Sequence, residues 1–298
     1  MKLLVTGAWK CSEEQLNVLR EKGHVVVFMQ NEKDELPCSY EEIEGVICNG
    51  LFLHHAIEKF TALRYIQLTS AGFDRVPMAY VQAKGIEIHN ARGVYSIPMA
   101  EFAISGVLQL YKQSPFFMQN QKERRWEKHR GLLELYQKTV CIVGCGSVGT
   151  ECAKRFQAFG CRVVGVDLFP REDECYEKIY PLSEIDKCLS KSDVVVLTLP
   201  LTEETRHMMN AARFETMKEG SVLINIARGA VIEESALLKA LENKLLGAVL
   251  DVFEEEPLQA DNPLWTKENV IITPHVSFIG DNNGDRLFEV IKRNLKRK

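Results

Sequence analysis

A chain of 298 residues with 46% hydrophobic and 26% charged side chains has the composition of an ordinary folded protein, and its length suits about two domains. That balance excludes disordered, collagen-like and fibrous chains, and a body of this size buries roughly three quarters of its extended-chain surface without a disulfide or metal staple. The net charge of −4 leaves no cationic excess to hold a polyphosphate backbone, so no nucleic-acid partner is expected.

The opening residues, Met1-Lys2-Leu3-Leu4-Val5-Thr6-Gly7, read as a strand and a turn, without the apolar length or cleavage site of a signal peptide. Apolar runs at 3–5, 25–28, 45–48, 65–68 and 86–89 read as strands. Ser12 with Gln15 has the pattern of a capping box, which opens a helix running to about Glu21 and ended by Gly23. Pro77 opens another helix and Gly85 closes it. Such alternation implies a parallel sheet covered by helices. From 98 to 123, Met99, Phe102, Ala103, Val107, Leu110 and Tyr111 recur at helical spacing, the longest such pattern in the chain and a link between two domains. A charged, loop-like stretch follows over 121–130.

A second alternating series then begins. Strands are expected at 139–143, 162–167, 193–198, 221–226, 247–253 and 269–273, with helices at 148–159 and 234–241. Six strands with a helix after the first is the layout of a dinucleotide-binding sheet. The basic tail over 292–298 reads as a solvated helix end whose cations suit the helix dipole. No uncharged apolar run reaches the ~18 residues a membrane span requires, so no membrane partner is expected. Nine cysteines, an odd set with no C-x-x-C pair, fit a reduced cytoplasmic protein with small buried thiols better than a disulfide framework or a zinc site.

The string Val143-Gly144-Cys145-Gly146-Ser147-Val148-Gly149 contains G-x-G-x-x-G between an apolar strand and an amphipathic helix. Gly144 permits the tight turn, Gly146 lets the backbone approach a pyrophosphate, and Gly149 allows close helix–strand packing. Phosphates belong at the helix N-terminus, where free N–H groups and the dipole favour negative charge. Asp167, at the end of the next strand, is placed to accept from ribose hydroxyls and repel a 2′-phosphate. NAD is therefore favoured over NADP, although Arg171 nearby pulls the other way. With this motif so far along the chain, the first 140 or so residues form a separate body, and a cleft between two bodies is a natural place for a small substrate.

Three residues stand at or beyond the C-terminal ends of expected strands, the edge that faces the ligand in an open parallel sheet. They are Arg228 in Asn225-Ile226-Ala227-Arg228-Gly229, Glu256 in Asp251-Val252-Phe253-Glu254-Glu255-Glu256-Pro257, and His275 after Pro274. Singly they read as a turn residue, a solvated loop and a half-buried histidine. Their joint placement on one edge favours chemistry.

These segments, with Leu-Pro-Leu-Thr-Glu-Glu-Thr at 199–205, Ser-Ala-Gly-Phe-Asp at 70–74 and Asn-Ala-Arg-Gly at 90–93, resemble the D-isomer-specific 2-hydroxyacid dehydrogenase family over about residues 45–291. The resemblance implies an α/β fold of two doubly wound parallel-sheet domains. A central Rossmann NAD-binding domain would span 98–278, and a flavodoxin-like substrate (catalytic) domain 1–97 plus 279–298. It implies NAD-dependent hydride transfer between a small 2-oxo acid and the D-2-hydroxy acid, with no metal. Arg228 would bind the substrate carboxylate and polarise the C2 carbonyl, helped by backbone N–H groups around Ala71 and Gly72. His275 would exchange a proton with the C2 oxygen. Glu256 would bond the imidazole and favour its protonated form. Ser147 and Val148 would cover the pyrophosphate. Leu199, Pro200, Ile226 and Ala227, with Arg228 and His275, would line the cofactor, and Asp251 would lie near the nicotinamide end. Tyr95 is either a wall of the C3 pocket or packing.

The helix from Pro98 resembles the family's homodimer contact. A helix at 287–295 would return to complete the first domain, although the chain's end at Lys298 leaves that closure open. Phosphoglycerate dehydrogenase and hydroxypyruvate/glyoxylate reductase are the nearer alternatives, the former disfavoured by the lack of residues beyond 298. The alternative of another class is a non-catalytic NAD-sensing binding protein or co-repressor, which has no need of a proton donor.

Overall fold

The computed structural model describes residues 1–295, which fall in two compact units, 1–95 with 280–295, and 96–279. In the first unit five parallel strands, β1 (Lys2–Thr6), β2 (Val25–Met29), β3 (Gly45–Cys48), β4 (Tyr65–Leu68) and β5 (Glu87–His89), lie in the order β2-β1-β3-β4-β5. This is the flavodoxin-like doubly wound order. The strands β3 and β4 are buried along their whole length, as the apolar run Gly-Val-Ile-Cys favours in β3, while in β4 the polar Gln67 is buried because its amide donates to Leu68 O at 2.9 Å and accepts from Asn294 Nδ2 at 2.9 Å. Helix α1 (Glu13–Glu21) starts at a reciprocal capping box: Gln15 N–H donates to Ser12 Oγ at 3.2 Å, and Ser12 N–H donates to Gln15 Oε1 at 3.0 Å. Helix α2 (Met78–Lys84) ends at Gly85, whose φ of 64° is the left-handed conformation a helix stop needs.

The second unit opens with α3 (Ser96–Tyr111) and α4 (Ser114–Glu123). The single long helix expected from 98 to 123 is broken here. Gln113 turns left-handed at φ 55°, and Pro115, which cannot supply an N–H to a helix interior, falls in the first turn of a new one. The apolar face of α3 (Ala100, Ala103, Val107, Leu110) packs into one core with Cys152, Ala153 and Phe156.

Seven parallel strands follow: β6 (Thr139–Val143), β7 (Arg162–Asp167), β8 (Lys178–Pro181), β9 (Val194–Leu197), β10 (Val222–Asn225), β11 (Gly247–Leu250) and β12 (Val270–Ile272). Their order, β12-β11-β10-β9-β6-β7-β8, is the dinucleotide-binding winding with one more strand beyond β11. Six strands were expected. The seventh, β8, is a four-residue edge strand ending in proline, which carries almost no periodic signal. Helices α5 (Ser147–Ala158), α6 (Ile185–Leu189), α7 (Ala211–Thr216) and α8 (Glu234–Asn243) cover the sheet.

Asp193 ties the entry of β9 to that of β6. Its carboxylate accepts from Thr139 N–H at 2.9 Å and from Lys218 Nζ at 2.7 Å. Burial works against the charge, but the Lys218 ammonium and the Thr139 amide outweigh it and hold the carboxyl below its ordinary value. A depressed carboxyl pKa contributes stability that is present above the unfolded-state value and lost as pH falls through the folded one. Asp193→Asn should therefore cost about 1–2 kcal/mol at neutral pH. It should also flatten the acid limb of a stability-versus-pH curve measured by urea titration.

The chain then returns to the first unit as α9 (Asn283–Asn294), whose Leu287 and Ile291, with Leu295, join Leu3, Val5, Trp9 and Leu19 in a core. Phe288 stacks on Trp9 at 5.8 Å, and Lys22 Nζ caps the helix end by donating to Lys292 O at 2.7 Å. This helix closes the face whose completion the sequence left open. In the basic tail, Lys292 and Arg293 occupy the last turn of α9, and Lys296, Arg297 and Lys298 lie outside the described residues. No helix among the described residues is long and apolar enough to cross a membrane. All nine cysteines are free thiols, seven of them buried.

Candidate active site

The glycine motif forms the turn from β6 into α5. Gly144 has φ 97°, and a Cβ there would lie 2.7 Å from the Leu199 backbone nitrogen. That closeness seats the turn against the segment leaving β9, and Thr198 Oγ1 ties it by donating to Gly144 O at 2.6 Å. A Cβ on Gly149 would stand 2.2 Å from Gly144 O, so no other residue lets α5 start so close to the strand. At Gly146 a Cβ would meet nothing within 4 Å, and no side chain caps the helix there. Open space above bare helix-terminal amides fits a pyrophosphate.

Asp167, half-buried at the end of β7, accepts from Cys145 N–H at 2.7 Å and Phe169 N–H at 2.9 Å. Its carboxylate is thus fixed beside the glycine turn. Arg171 Nη2 bonds to Cys145 O at 2.6 Å and to Asp173 at 3.2 Å. The Cys145 thiol is turned into the core, and burial pushes it up to about 12, so it stays an inert apolar filler at neutral pH.

Leu199 and Pro200 follow β9, Ile226, Ala227 and Arg228 follow β10, Asp251 and Glu256 follow β11, and His275 follows β12. All stand at the carboxyl edge of one sheet. Leu199, Ile226 and Ala227 are buried, while Pro200 and Arg228 are exposed. Arg228 is held from behind by buried Asn225, whose Nδ2 donates to Arg228 O at 3.0 Å and whose Oδ1 accepts from Ala227 N–H at 3.1 Å. The guanidinium donates to Ala227 O at 2.7 Å and bonds neither to Glu256 nor to His275. Glu256 accepts Phe253 N–H at 2.9 Å through one oxygen and meets His275 Nδ1 at 2.8 Å through the other. An ionised carboxylate only accepts, so Nδ1 donates and Nε2 is the nitrogen left for proton exchange.

His275 has φ 52°, a left-handed conformation uncommon outside glycine. Buried Asp251 enforces it. The Asp251 carbonyl accepts His275 N–H at 2.8 Å, and its carboxylate accepts from Thr273 Oγ1 (2.6 Å), Val276 N–H (2.8 Å) and Ser277 N–H (2.9 Å). The structure thus directs Asp251 inward, where it props the histidine loop, because those three donors surround its carboxylate. Asn225 and Gly229 stand in the Arg228 segment, and Thr198 at a strand end, with nothing in the sequence to assign any of them a role of its own. Gly229 packs its backbone so tightly that a Cβ would lie 1.8 Å from the Phe253 carbonyl carbon. The only sequence signal was its place after Arg228.

In the first unit, Ala71 and Gly72 lie in the loop after β4. Their carbonyls are engaged: Asn90 Nδ2 donates to Ala71 O at 2.6 Å and Ser70 Oγ to Gly72 O at 3.0 Å. Their amide N–H groups meet no acceptor among the described residues, which suits an incoming carboxylate. Tyr95 hydroxyl donates to Thr69 O and so braces this loop.

A family model described as "D-isomer specific 2-hydroxyacid dehydrogenase, NAD binding domain" matches residues 104–277, more than half the chain. The chain belongs to that family. The glycine turn, Asp167, Arg228, Glu256 and His275 of this dehydrogenase-family chain all fall inside its NAD-binding domain. It is 34% identical over 280 residues to a D-3-phosphoglycerate dehydrogenase of Methanocaldococcus jannaschii, covering 92% of the chain but only 53% of that protein. The chain thus spans about half the length of the first curated relatives it matches. A glyoxylate reductase of Thermofilum pendens is 33% identical over 301 residues, covering 95% of this chain and 87% of that one. The crystal structure of a D-isomer specific 2-hydroxyacid dehydrogenase family protein from Aeromonas salmonicida superposes with a TM-score of 0.81 at 32% identity, covering 98% and 93% of the two chains.

Proposed function

We propose that the chain is an NAD-dependent oxidoreductase that interconverts a small 2-oxo acid and its D-2-hydroxy acid. The observation that carries this reading is the His275–Glu256 pair at 2.8 Å, which gives the imidazole a fixed tautomer on the same sheet edge as Arg228. Arg228 presents its planar fork to the substrate carboxylate in exchange for the Ala227 carbonyl, and polarises the C2 carbonyl. The amides of Ala71 and Gly72 are a second carboxylate-binding group. During reduction His275 Nε2 gives its proton to the C2 oxygen, while Glu256 balances the imidazolium and keeps the ring oriented. In oxidation the same nitrogen accepts the proton.

Gly144, Gly146, Ser147, Val148 and Gly149 form the pyrophosphate seat, Asp167 the ribose site, and Leu199, Pro200, Ile226 and Ala227 the wall along the dinucleotide. Asp251 serves it indirectly, by holding the His275 loop. The nicotinamide supplies the hydride in reduction and takes it up in oxidation. Glyoxylate, hydroxypyruvate and phosphohydroxypyruvate are the first substrates to test, given the names of the relatives. The enzyme is proposed to be a cytoplasmic homodimer joined through the outer face of α3 and α4.

The Glu256–His275 pair favours an enzyme over a protein that merely senses NAD, since binding alone needs no proton donor. A panel of 2-oxo acids assayed for NADH oxidation tests the reading. Turnover of at least one acid is expected, and NADH binding with no turnover of any acid would leave only the sensor. Asp167→Ser should raise the NADPH-to-NADH ratio of kcat/KM by about tenfold or more, the worth of one charge repulsion removed. An unchanged ratio would remove Asp167 from cofactor choice.

A further inference from the structure

Away from the glycine turn and the histidine, the first unit carries a polar pocket of about 240 Å³ between the end of β5 and the last turn of α9. Arg92, Arg293, His89, Asn90, Asn294 and Phe73 line it, and none of its lining residues is acidic. The neutral groups are already committed. Asn294 Nδ2 donates to buried Gln67 at 2.9 Å, Asn90 Nδ2 to Ala71 O at 2.6 Å, and His89 Nε2 is paired with Glu87 at 2.7 Å. These bonds fix the walls. Neither guanidinium has a carboxylate or hydrogen-bond partner among the described residues, so two unpaired positive charges share one pocket whose lining holds no carboxylate. Arg293 also suits the negative end of α9, but that accounts for one cation and not for Arg92 on the opposite wall.

We propose that this pocket is a second ligand site, separate from the dinucleotide domain, that takes a small multivalent oxyanion of the phosphate monoester kind. The planar forks of Arg92 and Arg293 match tetrahedral phosphate oxygens, and charge-assisted bonds to guanidinium are the strong class of hydrogen bond. The volume leaves room for a phosphate with a short organic tail. The site is mechanically linked to the Ala71–Gly72 loop. Asn90 accepts Arg92 N–H at 3.2 Å through Oδ1 while its amide holds Ala71 O, so an anion drawing on Arg92 acts on that loop through a single side chain.

Isotope-labelled full-length chain, saturated with NADH so that the glycine turn is filled, is titrated with inorganic phosphate and, separately, with citrate, acetate and chloride at matched ionic strength. Amide resonances of Asn90, Arg92 and Arg293 should shift saturably with phosphate, and that of Ala71 should follow with the same midpoint. Acetate and chloride should leave them in place. A response to citrate equal to that of phosphate would make the site one for polycarboxylates rather than phosphate monoesters and overturn the stated preference. Arg92→Ala and Arg293→Ala should each weaken phosphate binding about tenfold, the loss of one charge-assisted contact. Arg92→Lys should restore only part of it. Both side chains are exposed, so thermal melting of the variants should match the parent. Shifts confined to the glycine turn and Arg228, shifts that never saturate, or affinity unchanged in both alanine variants would overturn the proposal. None of these readouts depends on turnover, so the result stands apart from the activity proposed above.

Discussion

His275→Ala should lower kcat for 2-oxo acid reduction by about a hundredfold to ten-thousandfold, the range for removing a positioned general acid. The affinity for NADH should stay close to that of the parent, because the glycine turn and Asp167 are built on β6 and β7 and the histidine follows β12 at the far end of the same sheet. Fluorescence titration of NADH beside steady-state rates separates the two effects. Glu256→Gln is the companion variant. Its single carbonyl oxygen can accept from Nδ1 or from Phe253 N–H but not replace both carboxylate oxygens, and the charge that balances an imidazolium is lost. It should therefore lose less than His275→Ala, with most of the loss in kcat. Turnover unchanged in His275→Ala would take the histidine out of the mechanism.

Gly229→Ala should be nearly as damaging although its side chain would touch no substrate. The added carbon would stand 1.8 Å from the Phe253 carbonyl carbon and 2.2 Å from Glu254 N, both backbone atoms that no rotamer change can clear. The turn carrying Arg228 and the loop carrying Glu256 must then move apart. Overpacking of this kind costs about 1–3 kcal/mol in stability. A displacement of about 1 Å in a positioned group can cost about a hundredfold in rate. Urea unfolding should show the first and kcat/KM the second, with NADH affinity little changed. Full activity in Gly229→Ala would mean that the close packing has no part in placing the arginine.

Both effects turn on features of unequal visibility in the amino-acid order. The parallel strands were readable because short apolar runs bounded by turn residues repeat, and β3, β4, β6 and β7 begin and end where those runs do. The glycine turn was readable because each glycine answers a separate steric demand, which the contacts at Gly144 and Gly149 bear out. The edge strand β8 was not readable, because a half-exposed four-residue segment with a terminal proline has no period of its own. The break between α3 and α4 falls where the helically spaced apolar series ends at Tyr111, just before Pro115 opens the first turn of α4. Asp251 illustrates a different limit. The resemblance places it near the nicotinamide end, but whether a carboxylate faces solvent or the protein depends on which donors surround it. Thr273, Val276 and Ser277 are more than twenty residues away in the chain. Asn225 and Gly229 were hidden for a related reason: one acts through hydrogen bonds to the backbone of Ala227 and Arg228, the other through the absence of a side chain against β11's exit loop.

The most direct measurement is isotopic and stereochemical. A 2-oxo acid that the chain turns over is reduced with NADH carrying deuterium at both C4 positions, and the product is analysed for label and configuration. Transfer to the carbon of a carbonyl polarised by Arg228 and protonated by His275 predicts a D-2-hydroxy acid with deuterium at C2. A product of L configuration, or a D product whose C2 hydrogen comes from water, would contradict it.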